Sequence, residues 1–568
     1  MKLKESYRPK ATDYKSATSV NTTSGLQFQR SFIYLLLLIC FLALIPRLIL
    51  GAAQVIQYDG YWHIFTATQN RWRLFVSEWK GDAHPPLYYL LLRGCAKLGS
   101  YPLVYRLPSI IPGVISIYVL GQVAAKFYRS RGMALLAAAA YGFSLTILDL
   151  DCDVRAYPLS LLFVLCTFYY LLELLTGPEQ PTASAMILFG VGCSLAILTE
   201  YMTIFFLFAS LVVPLALSIR FSEVRWRLAE LVKAKPRTLA ITLALPFAVT
   251  MWLYRVHIRY QPTTQGNVEE FYWTKGTSTL NFVLRNLRNE VNFLLPLEFD
   301  SPSLCAILAV AAIAAILYLT LAPKGNKKLI APAALGLLLF CILAELIFVS
   351  LARRYPFGGF ARQQSILFPF IVLTAFWLLD FVSSALSRTL KISIRLGTAL
   401  LITTFFLHGW NKIPKLKEDL FTKEYRLFGE NLPRSRAVYI DQFSLIGYYI
   451  HTHNWQWKFK QHYREPERID EYRTANSVGE QRVVVRNLDQ WNFDLLRPET
   501  YATLSRLLRD AHMPDIDIFY LRQFPHSMDA AAIAADKQQF QNLAKAAGLS
   551  IDTLYYDGQQ AYIHTGLQ

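Results

Sequence analysis

The chain has 568 residues and a formal net charge of +17, yet only 17% of its residues are charged and 54% are hydrophobic. Soluble chains carry about 25% charged residues. This hydrophobic composition excludes a disordered protein. The basic residues are too scattered to form the phosphate-binding surface of a nucleic-acid-binding protein. The composition predicts a polytopic membrane protein whose basic surplus lies on one side of the bilayer.

The basic surplus is confined to the first part of the chain. Residues 411–568 hold 20 Lys+Arg and 20 Asp+Glu, and this stretch has no long apolar run. We therefore place a domain boundary near Gly409. The predicted organisation is a basic cytoplasmic tail (1–31), a transmembrane domain (32–410) and an outer domain (411–568).

The apolar runs predict about eleven membrane spans. The first run begins at Phe32, which is too late and too long for a cleaved signal peptide. A span needs about 20 apolar residues. The candidates are 32–54, 103–125, 132–149, 156–175, 183–199, 201–219, 238–256, 303–323, 329–351, 364–386 and 393–410.

The segment Pro85–Leu98 decides the topology. It is apolar but short, and it carries Arg93 and Lys97. If it lies along the interface, the cytoplasmic segments together with Arg395 hold 21 Lys+Arg against 5 Asp+Glu. If it spans, the downstream basic loops lie outside, against the positive-inside rule. We interpret it as a juxtamembrane helix. The protein is then a multi-pass protein of the plasma or inner membrane, with a cytoplasmic N-terminus and residues 411–568 extracytoplasmic.

The first outward loop, 55–102, contains Asp59, Asp82 and His84. These residue types provide a general base and cationic or hydrogen-bonding groups at the water–lipid boundary. The alternative is ordinary interfacial structure, in which aspartates cap helices and aromatic residues form a belt. The cost of ionisable groups at membrane depth favours a functional role.

A second acidic turn contains Asp149, Asp151 and Asp153, followed by Arg155. Alternating carboxylates bind a divalent cation or cap the following helix. Capping explains one acid better than three. An arginine at a helix start is unfavourable for the helix dipole, so Arg155 is expected to pair with one of the acids or to face a phosphate.

Two weaker signals follow along the chain. Glu200 interrupts a long apolar stretch, and it is either in an outward turn or a buried polar contact. Arg353, Arg354 and Arg362 lie on the predicted outer side, where guanidinium groups suit a lipid phosphate or pyrophosphate. Pairing with headgroups without chemistry is the alternative.

Several common motifs are absent from the sequence. There is no Walker loop, no GxGxxG, no HExxH and no GxSxG. The seven cysteines form no CxxC pair, so they indicate neither a zinc site nor a disulfide framework.

The order of these motifs resembles the GT-C membrane glycosyltransferases, in particular the branch with the protein O-mannosyltransferases and the lipid A aminoarabinose transferase. The resemblance starts with Asp59 after the first span and the stretch 82–87, Asp-Ala-His-Pro-Pro-Leu. The large loops after spans one and seven also look like the family's two catalytic outer loops. Further likenesses are Arg106–Ser109, Arg155–Tyr157, Thr199–Tyr201 and Tyr355–Arg362.

The resemblance implies a mechanism. The donor would be a polyprenyl-phosphate sugar, Asp59 would deprotonate the acceptor hydroxyl, and the attack would invert the anomeric centre. His84 would stabilise the departing phosphate, and Asp82 would orient these groups or the sugar. The residues implied to bind the lipid phosphate or the sugar are Asp153, Arg155, Tyr157, Glu200, Arg353, Arg354 and Arg362.

The chain departs from the family pattern at two positions. Gly60 follows Asp59, where the family often has a second acid, and His84 stands where some members carry lysine. No cofactor is assigned, although a divalent cation fits the acidic residues. The implied partners are the donor, a hydroxyl-bearing acceptor and the bilayer, with no nucleic acid.

Two rival functions have less support. A lipid or glycan transporter or flippase usually has polar residues near mid-membrane and repeated halves. The chain shows no internal repeat, and its polar clusters fall at one face. A non-catalytic assembly factor does not explain the combination of Asp59, His84 and Arg155.

Residues 411–568 are predicted to form a small α/β domain that covers the site or binds the acceptor. Predicted strands are 437–440, 482–485, 516–521, 551–556 and 561–564, and predicted helices are 498–510 and 527–548.

Overall fold

A computed structural model gives the fold of the greater part of the chain. It describes residues 20–53, 56, 58–69, 71–99, 101–177, 182–260, 278–294, 327–359, 361–384, 386, 388–417, 435–441, 444, 457–463, 469–476, 479–486, 494–510, 512–521, 529–558 and 560–568. The predicted span 303–323 lies outside these residues.

The first 417 residues are helical wherever the structure describes regular elements. The helices are α1 Val20–Ala53, α2 Tyr58–Thr68, α3 Trp72–Gly81, α4 Pro86–Cys95, α5 Pro102–Phe127, α6 Arg131–Gly142, α7 Leu145–Cys152, α8 Tyr157–Thr176, α9 Ala183–Thr199, α10 Thr203–Arg220, α11 Ser222–Ala234, α12 Pro236–Val256, α13 Thr279–Leu294, α14 Ile330–Leu351, α15 Ala361–Gln364, α16 Phe368–Ser384 and α17 Arg388–Lys417.

Seven of the described helical segments are long and apolar enough to cross a membrane. They are Gln29–Ala52, Pro102–Phe127, Tyr157–Thr176, Thr203–Arg220, Pro236–Tyr260, Lys327–Leu351 and Ala361–Ser384. Helices α6 and α7 pass the same test only together, and α9 is a shorter apolar helix. These helices make the chain a multi-pass membrane protein, and the total of eleven spans stays a prediction.

The predicted span 132–149 is wrong as a single straight helix. Helices α6 and α7 are separate and meet at an angle of 55°. The carbonyl of Gly142 accepts a hydrogen bond of 2.9 Å from the Arg47 guanidinium, and Ser144 has an extended backbone. A side chain that takes a carbonyl from the helix ladder breaks the helix at that point.

The loop 55–102 is largely helical. Helix α4 has ten residues, so it extends about 15 Å and is too short to cross a bilayer core of about 30 Å. Pro86 lies in its first turn, where a missing N–H costs nothing. This agrees with the predicted juxtamembrane helix, while α2 and α3 were not predicted.

A buried ion pair holds the break between α6 and α7. Two nitrogens of Arg47, which is fully buried, lie 2.7 Å from Oδ2 of Asp151. The Asp151 carboxylate fills the space beside Gly113, where an added Cβ would lie 2.3 Å from it. Asp151 therefore neutralises a structural arginine, and the three acids Asp149, Asp151 and Asp153 do not act together as a cation site.

The described residues from 435 onwards form one mixed sheet, two α-helices and the short 3-10 helix Asp494–Leu496. The strands are β1 Ala437–Asp441, β2 Trp457–Tyr463, β3 Ile469–Asn476, β4 Gly479–Arg486, β5 Asp515–Leu521, β6 Leu549–Tyr556 and β7 Gln560–Leu567, and the helices are α18 Pro498–Asp510 and α19 Ala530–Ala546. The sheet order is β2-β3-β4-β1-β5-β7-β6, and β1 pairs parallel with β4 and β5. All five predicted strands lie within observed ones.

The sheet packs against the first short helix of the membrane domain. Val438, Phe519 and Tyr562 share a buried cluster with Tyr61 and Phe65 of α2. Because side chains alternate between the faces of a strand, the opposite face packs instead with α18 and α19. One face of the outer sheet therefore covers α2, the helix that carries Asp59.

We expect Asp151→Ala to destabilise the protein by about 3–5 kcal/mol, because it leaves Arg47 buried without its counter-charge. The double variant Arg47→Met, Asp151→Leu should recover most of that loss. Unfolding of the purified protein by denaturant measures both. A single-variant loss below about 1 kcal/mol would contradict the assigned role of the pair.

Candidate active site

Asp59 lies in the first turn of α2, where a carboxylate interacts favourably with the helix dipole. Its side chain is about one-third exposed. The backbone is tightly enclosed at the next residue: a Cβ on Gly60 would lie 2.8 Å from Ile56 Cγ2 and 3.1 Å from Val154 Cβ. Glycine after Asp59 therefore follows from this packing, and a second acid does not fit here.

Arg155 lies in the break between α7 and α8, with its guanidinium buried beside Asp59. Its Nη2 pairs with Asp59 Oδ2, and its Nε lies 3.8 Å from Asp153 Oδ2. The Ser109 hydroxyl donates to the Arg155 carbonyl at 2.9 Å and is itself 2.7 Å from the Tyr88 hydroxyl. These bonds fix the Arg155 backbone. Burial lowers the pKa of Arg155 to about 10, which leaves the side chain charged at neutral pH.

Arg362 reaches the same carboxylate from a distant part of the chain. It lies in α15, and its Nη1 is 2.9 Å from Asp59 Oδ2. Asp59 is therefore held between two guanidinium groups that come from the α7–α8 break and from α15. Asp59, Arg155 and Arg362 were each selected from the sequence, and the structure places them in contact; the expected pairing of Arg155 with an acid of the 149–153 turn is limited to the 3.8 Å approach to Asp153.

Glu200 ends α9 in the turn before α10 and is buried. Glu200 is therefore a buried polar contact within a turn, and the outward direction of that turn stays a prediction. Its Oε2 lies 3.1 Å from His84 Nδ1. Burial alone would lower the pKa of His84, but the Glu200 carboxylate overcomes this effect and raises that pKa to about 9. His84 consequently carries a positive charge near neutral pH, as a lysine would.

His84 and Arg155 face each other through their nitrogens. His84 Nε2 lies 3.2 Å from Arg155 Nη1. This contact is a hydrogen bond when the imidazole is neutral and accepts at Nε2. When His84 is protonated, both groups are donors. An oxyanion placed between them would then accept from both.

His63 was not selected from the sequence, although it follows Asp59 by four residues and so shares a face of α2. It is buried, and its Nδ1 lies 3.0 Å from the Val154 carbonyl. Burial lowers its pKa to about 4, so the ring is neutral. Ligand atoms of His63, Asp82 and His84 lie within 4.8 Å of one another. Two imidazoles and a carboxylate are donors that suit zinc and similar divalent ions.

A chain of hydrogen bonds runs from the His84 carbonyl through Trp79 and His257 to Tyr201. Trp79 Nε1 donates to the His84 carbonyl at 3.1 Å, and the Trp79 carbonyl lies 3.0 Å from His257 Nε2. His257 Nδ1 lies 2.6 Å from the hydroxyl of Tyr201, the neighbour of Glu200. The ends of α3, α9 and α12 are thereby joined around the imidazole. Trp79 and His257 were not predicted.

The remaining predicted residues divide into two groups. Tyr157 begins α8 with its ring 5.9 Å from the Arg155 guanidinium carbon, so it belongs to the site. Arg353 and Arg354 lie exposed at the end of α14. Among the described residues, the ion pairs of Asp59 are with Arg155 and Arg362, so the structure does not bring Arg353 and Arg354 into this network.

The described residues form a multi-span helical membrane protein with a charged cluster where several helices begin or end. Residues 83–254 match the family described as "Dolichyl-phosphate-mannose-protein mannosyltransferase". The match confirms the predicted resemblance to GT-C glycosyltransferases of the O-mannosyltransferase type. His84, Arg155 and Glu200 lie inside the matched segment, and Asp59 and Arg362 lie outside it.

The chain is similar to two membrane proteins of solved structure. The protein O-mannosyltransferase Pmt1–Pmt2 complex of S. cerevisiae, bound to the sugar donor, shows 14% identity and a TM-score of 0.32 over 43% of this chain and 36% of that chain. ArnT from Cupriavidus metallidurans, bound to undecaprenyl phosphate, shows 13% identity and a TM-score of 0.45 over 95% of this chain and 98% of that one. No curated protein sequence matches the chain.

We expect His84 to titrate near pH 9 and His63 near pH 4. Because the pKa of His84 lies above its ordinary 6.5, its proton stabilises the folded state fully below about pH 6.5, and this contribution is lost as the pH rises through 9. NMR of ¹⁵N-labelled histidine measures both values. Glu200→Gln should lower the pKa of His84 by about 1 to 3 units, and an unchanged value in that variant would contradict the assignment.

Proposed function

We propose that this protein is an inverting glycosyltransferase that moves a sugar from a polyprenyl-phosphate donor to a hydroxyl group of a lipid, glycan or protein acceptor on the outer face of the membrane. The observation that carries the proposal is the Asp59 carboxylate between Arg155 and Arg362, with His84 beside them. One cluster thus combines a base with groups that bind a phosphate.

The cationic half of the site would bind the donor phosphate. Guanidinium groups match the geometry of phosphate oxygens and donate two parallel hydrogen bonds. Protonated His84 adds a third cationic donor next to Arg155. Negative charge grows on the phosphate as the sugar departs, and fixed cations at a buried position stabilise that charge strongly.

The acidic half would activate the acceptor. Both arginines contact Oδ2 of Asp59, so Oδ1 takes part in neither ion pair and is available to the acceptor hydroxyl. As the hydroxyl oxygen bonds to the anomeric carbon, its proton passes to Asp59 and the carbon–phosphate oxygen bond breaks. The products are the inverted glycoside and the free polyprenyl phosphate. Attack opposite the phosphate places the phosphate and the base on opposite sides of the sugar carbon, so Arg155 and Arg362, which contact Asp59 here, would turn from the carboxylate towards the phosphate when the donor binds.

Donor binding would also increase the basicity of Asp59. In the structure two guanidinium groups stabilise its ionised form. A phosphate that takes over part of those contacts weakens this stabilisation, and a carboxylate less stabilised by cations is a stronger base. The site would therefore activate the acceptor mainly when the donor is in place.

The membrane topology supports an outer location. The site residues come from the loop after the first span, the α7–α8 break, the α9–α10 turn and α15. These segments alternate with the basic segments at 126–131, 220–237, 324–328 and 387–392, which the charge distribution assigns to the cytoplasm. The cluster is at one end of the bundle rather than halfway along it, which disfavours a transporter.

The donor set of His63, Asp82 and His84 fits a divalent cation. Such an ion, when bound, would polarise the phosphate oxygens as a Lewis acid. His84 and Asp82 would hold it from the stretch before α4, and His63 from α2. His84 would then be a neutral imidazole, and the ion would supply the positive charge in place of the protonated ring. The acid–base roles proposed for Asp59, Arg155 and Arg362 do not depend on it.

We expect Asp59→Asn to lower the rate of sugar transfer by about 10²–10⁴-fold, because the amide cannot take the proton. The double variant Arg155→Ala, His84→Ala should lower kcat/KM by a similar factor through lost phosphate stabilisation. Transfer from radiolabelled polyprenyl-phosphate sugars in membrane vesicles measures both.

Asp552→Asn is the matched control, since it neutralises an exposed carboxylate on β6, far along the chain from the cluster. It should transfer sugar at the wild-type rate. Unchanged transfer by Asp59→Asn would remove the base assignment, and full activity of the Arg155/His84 double variant would remove the phosphate-binding role.

A further inference from the structure

The buried face of α13 is unusually polar. Phe282, Asn286 and Glu290 are spaced four residues apart, so they share one face of the helix. Their exposed fractions are 1%, 1% and 2%. Two of these three buried side chains thus carry hydrogen-bonding groups, on a helix with no role in the mechanism above.

These groups have few partners among the residues that the structure describes. Both polar atoms of the Asn286 amide lack a hydrogen bond there, and the Glu290 carboxyl oxygens make none of good geometry, although the Gly358 backbone N–H approaches that carboxyl. Buried polar atoms without partners cost free energy, so such atoms usually meet a ligand or ordered water. Burial raises the pKa of Glu290 well above its ordinary value. A protonated carboxyl both donates and accepts hydrogen bonds, as an amide does.

The face lies against the turn that leads to Arg362. Asn289 Nδ2 donates to the Gly358 carbonyl at 2.8 Å. A Cβ on Gly358 would lie 2.5 Å from Asn286 Cβ, and its φ of 72° is the left-handed conformation that glycine favours. Gly358 precedes Arg362 by four residues, and α13 also packs against α15 and α7. The polar side chains of Asn286 and Glu290 thus lie beside the segment that carries Arg362, a proposed phosphate-binding residue.

We infer that Asn286 and Glu290 bind hydroxyl groups on the sugar ring of the polyprenyl-phosphate donor. The inference rests on the proposed function, because it assumes that Arg362 binds the donor phosphate. In such a donor the sugar is joined directly to the phosphate, so the sugar ring lies next to any arginine that binds that phosphate. Sugar hydroxyls both donate and accept, and they match an amide and a protonated carboxyl better than a charged ligand does.

The test compares two ligands on purified protein in nanodiscs. One is undecaprenyl phosphate, and the other is the polyprenyl-phosphate sugar that wild type binds best from a panel of mannose, glucose, arabinose and aminoarabinose. Asn286→Leu and Glu290→Leu should weaken binding of the sugar-linked lipid about tenfold and leave the affinity for undecaprenyl phosphate unchanged. Asn281→Ala, on the exposed face of α13, should change neither affinity.

Stability supplies a second readout. Asn286→Leu removes unsatisfied polar atoms, so it should keep or raise the melting temperature while it weakens sugar binding. The inference is overturned if the variants lose affinity for both lipids to the same extent. It is also overturned if the melting temperature falls while sugar binding is unchanged, or if neither quantity changes. A wild-type protein that binds no sugar-linked lipid overturns the proposed function as well, whereas wild-type binding without a variant effect overturns only the inference.

Discussion

The ion pairs of Asp59 are the interaction on which the rest of the site depends. Three segments that are far apart in sequence, α2, the α7–α8 break and α15, meet where one carboxylate, about one-third exposed, is shared by Arg155 and Arg362. Such pairs contribute little at an exposed surface, but a buried guanidinium such as that of Arg155 costs free energy when its counter-charge is removed. The same contacts bring two guanidinium groups together at one carboxylate oxygen.

The scaffold around this cluster is built to place charges inside a membrane protein. Arg47 and Asp151 neutralise each other at the α6–α7 bend, and Arg106 donates to the carbonyls of Cys152 and Gly51. These contacts fix the backbone that leads to Arg155. The C-terminal sheet packs on α2, so the helix that carries Asp59 is covered by apolar strand residues. Charged groups are thus oriented by buried partners rather than by solvent.

Much of the site was predictable from the sequence because ionisable residues at membrane depth are rare and therefore informative. Asp59, His84, Arg155 and Arg362 were found in this way, and the structure brings them together. His63 and His257 were not, since a single histidine in an amphipathic or apolar segment gives no signal until the fold shows its neighbours. Arg353 was selected on charge alone, and charge does not reveal which way a side chain at a helix end points. Strands β2 and β3 were not predicted because most of their residues are polar or charged. The bend at Gly142 was not predicted because it depends on Arg47, which is 95 residues away in sequence.

We propose that the donor phosphate and the Asp59 carboxylate compete for the same two arginines. The most direct measurement is the affinity of undecaprenyl phosphate for wild type and for Asp59→Asn, at constant pH and ionic strength. Removal of the competing carboxylate should tighten binding about tenfold or more, in a variant that no longer transfers sugar. Weaker binding by Asp59→Asn would show that the carboxylate helps to hold the ligand, and it would contradict the account.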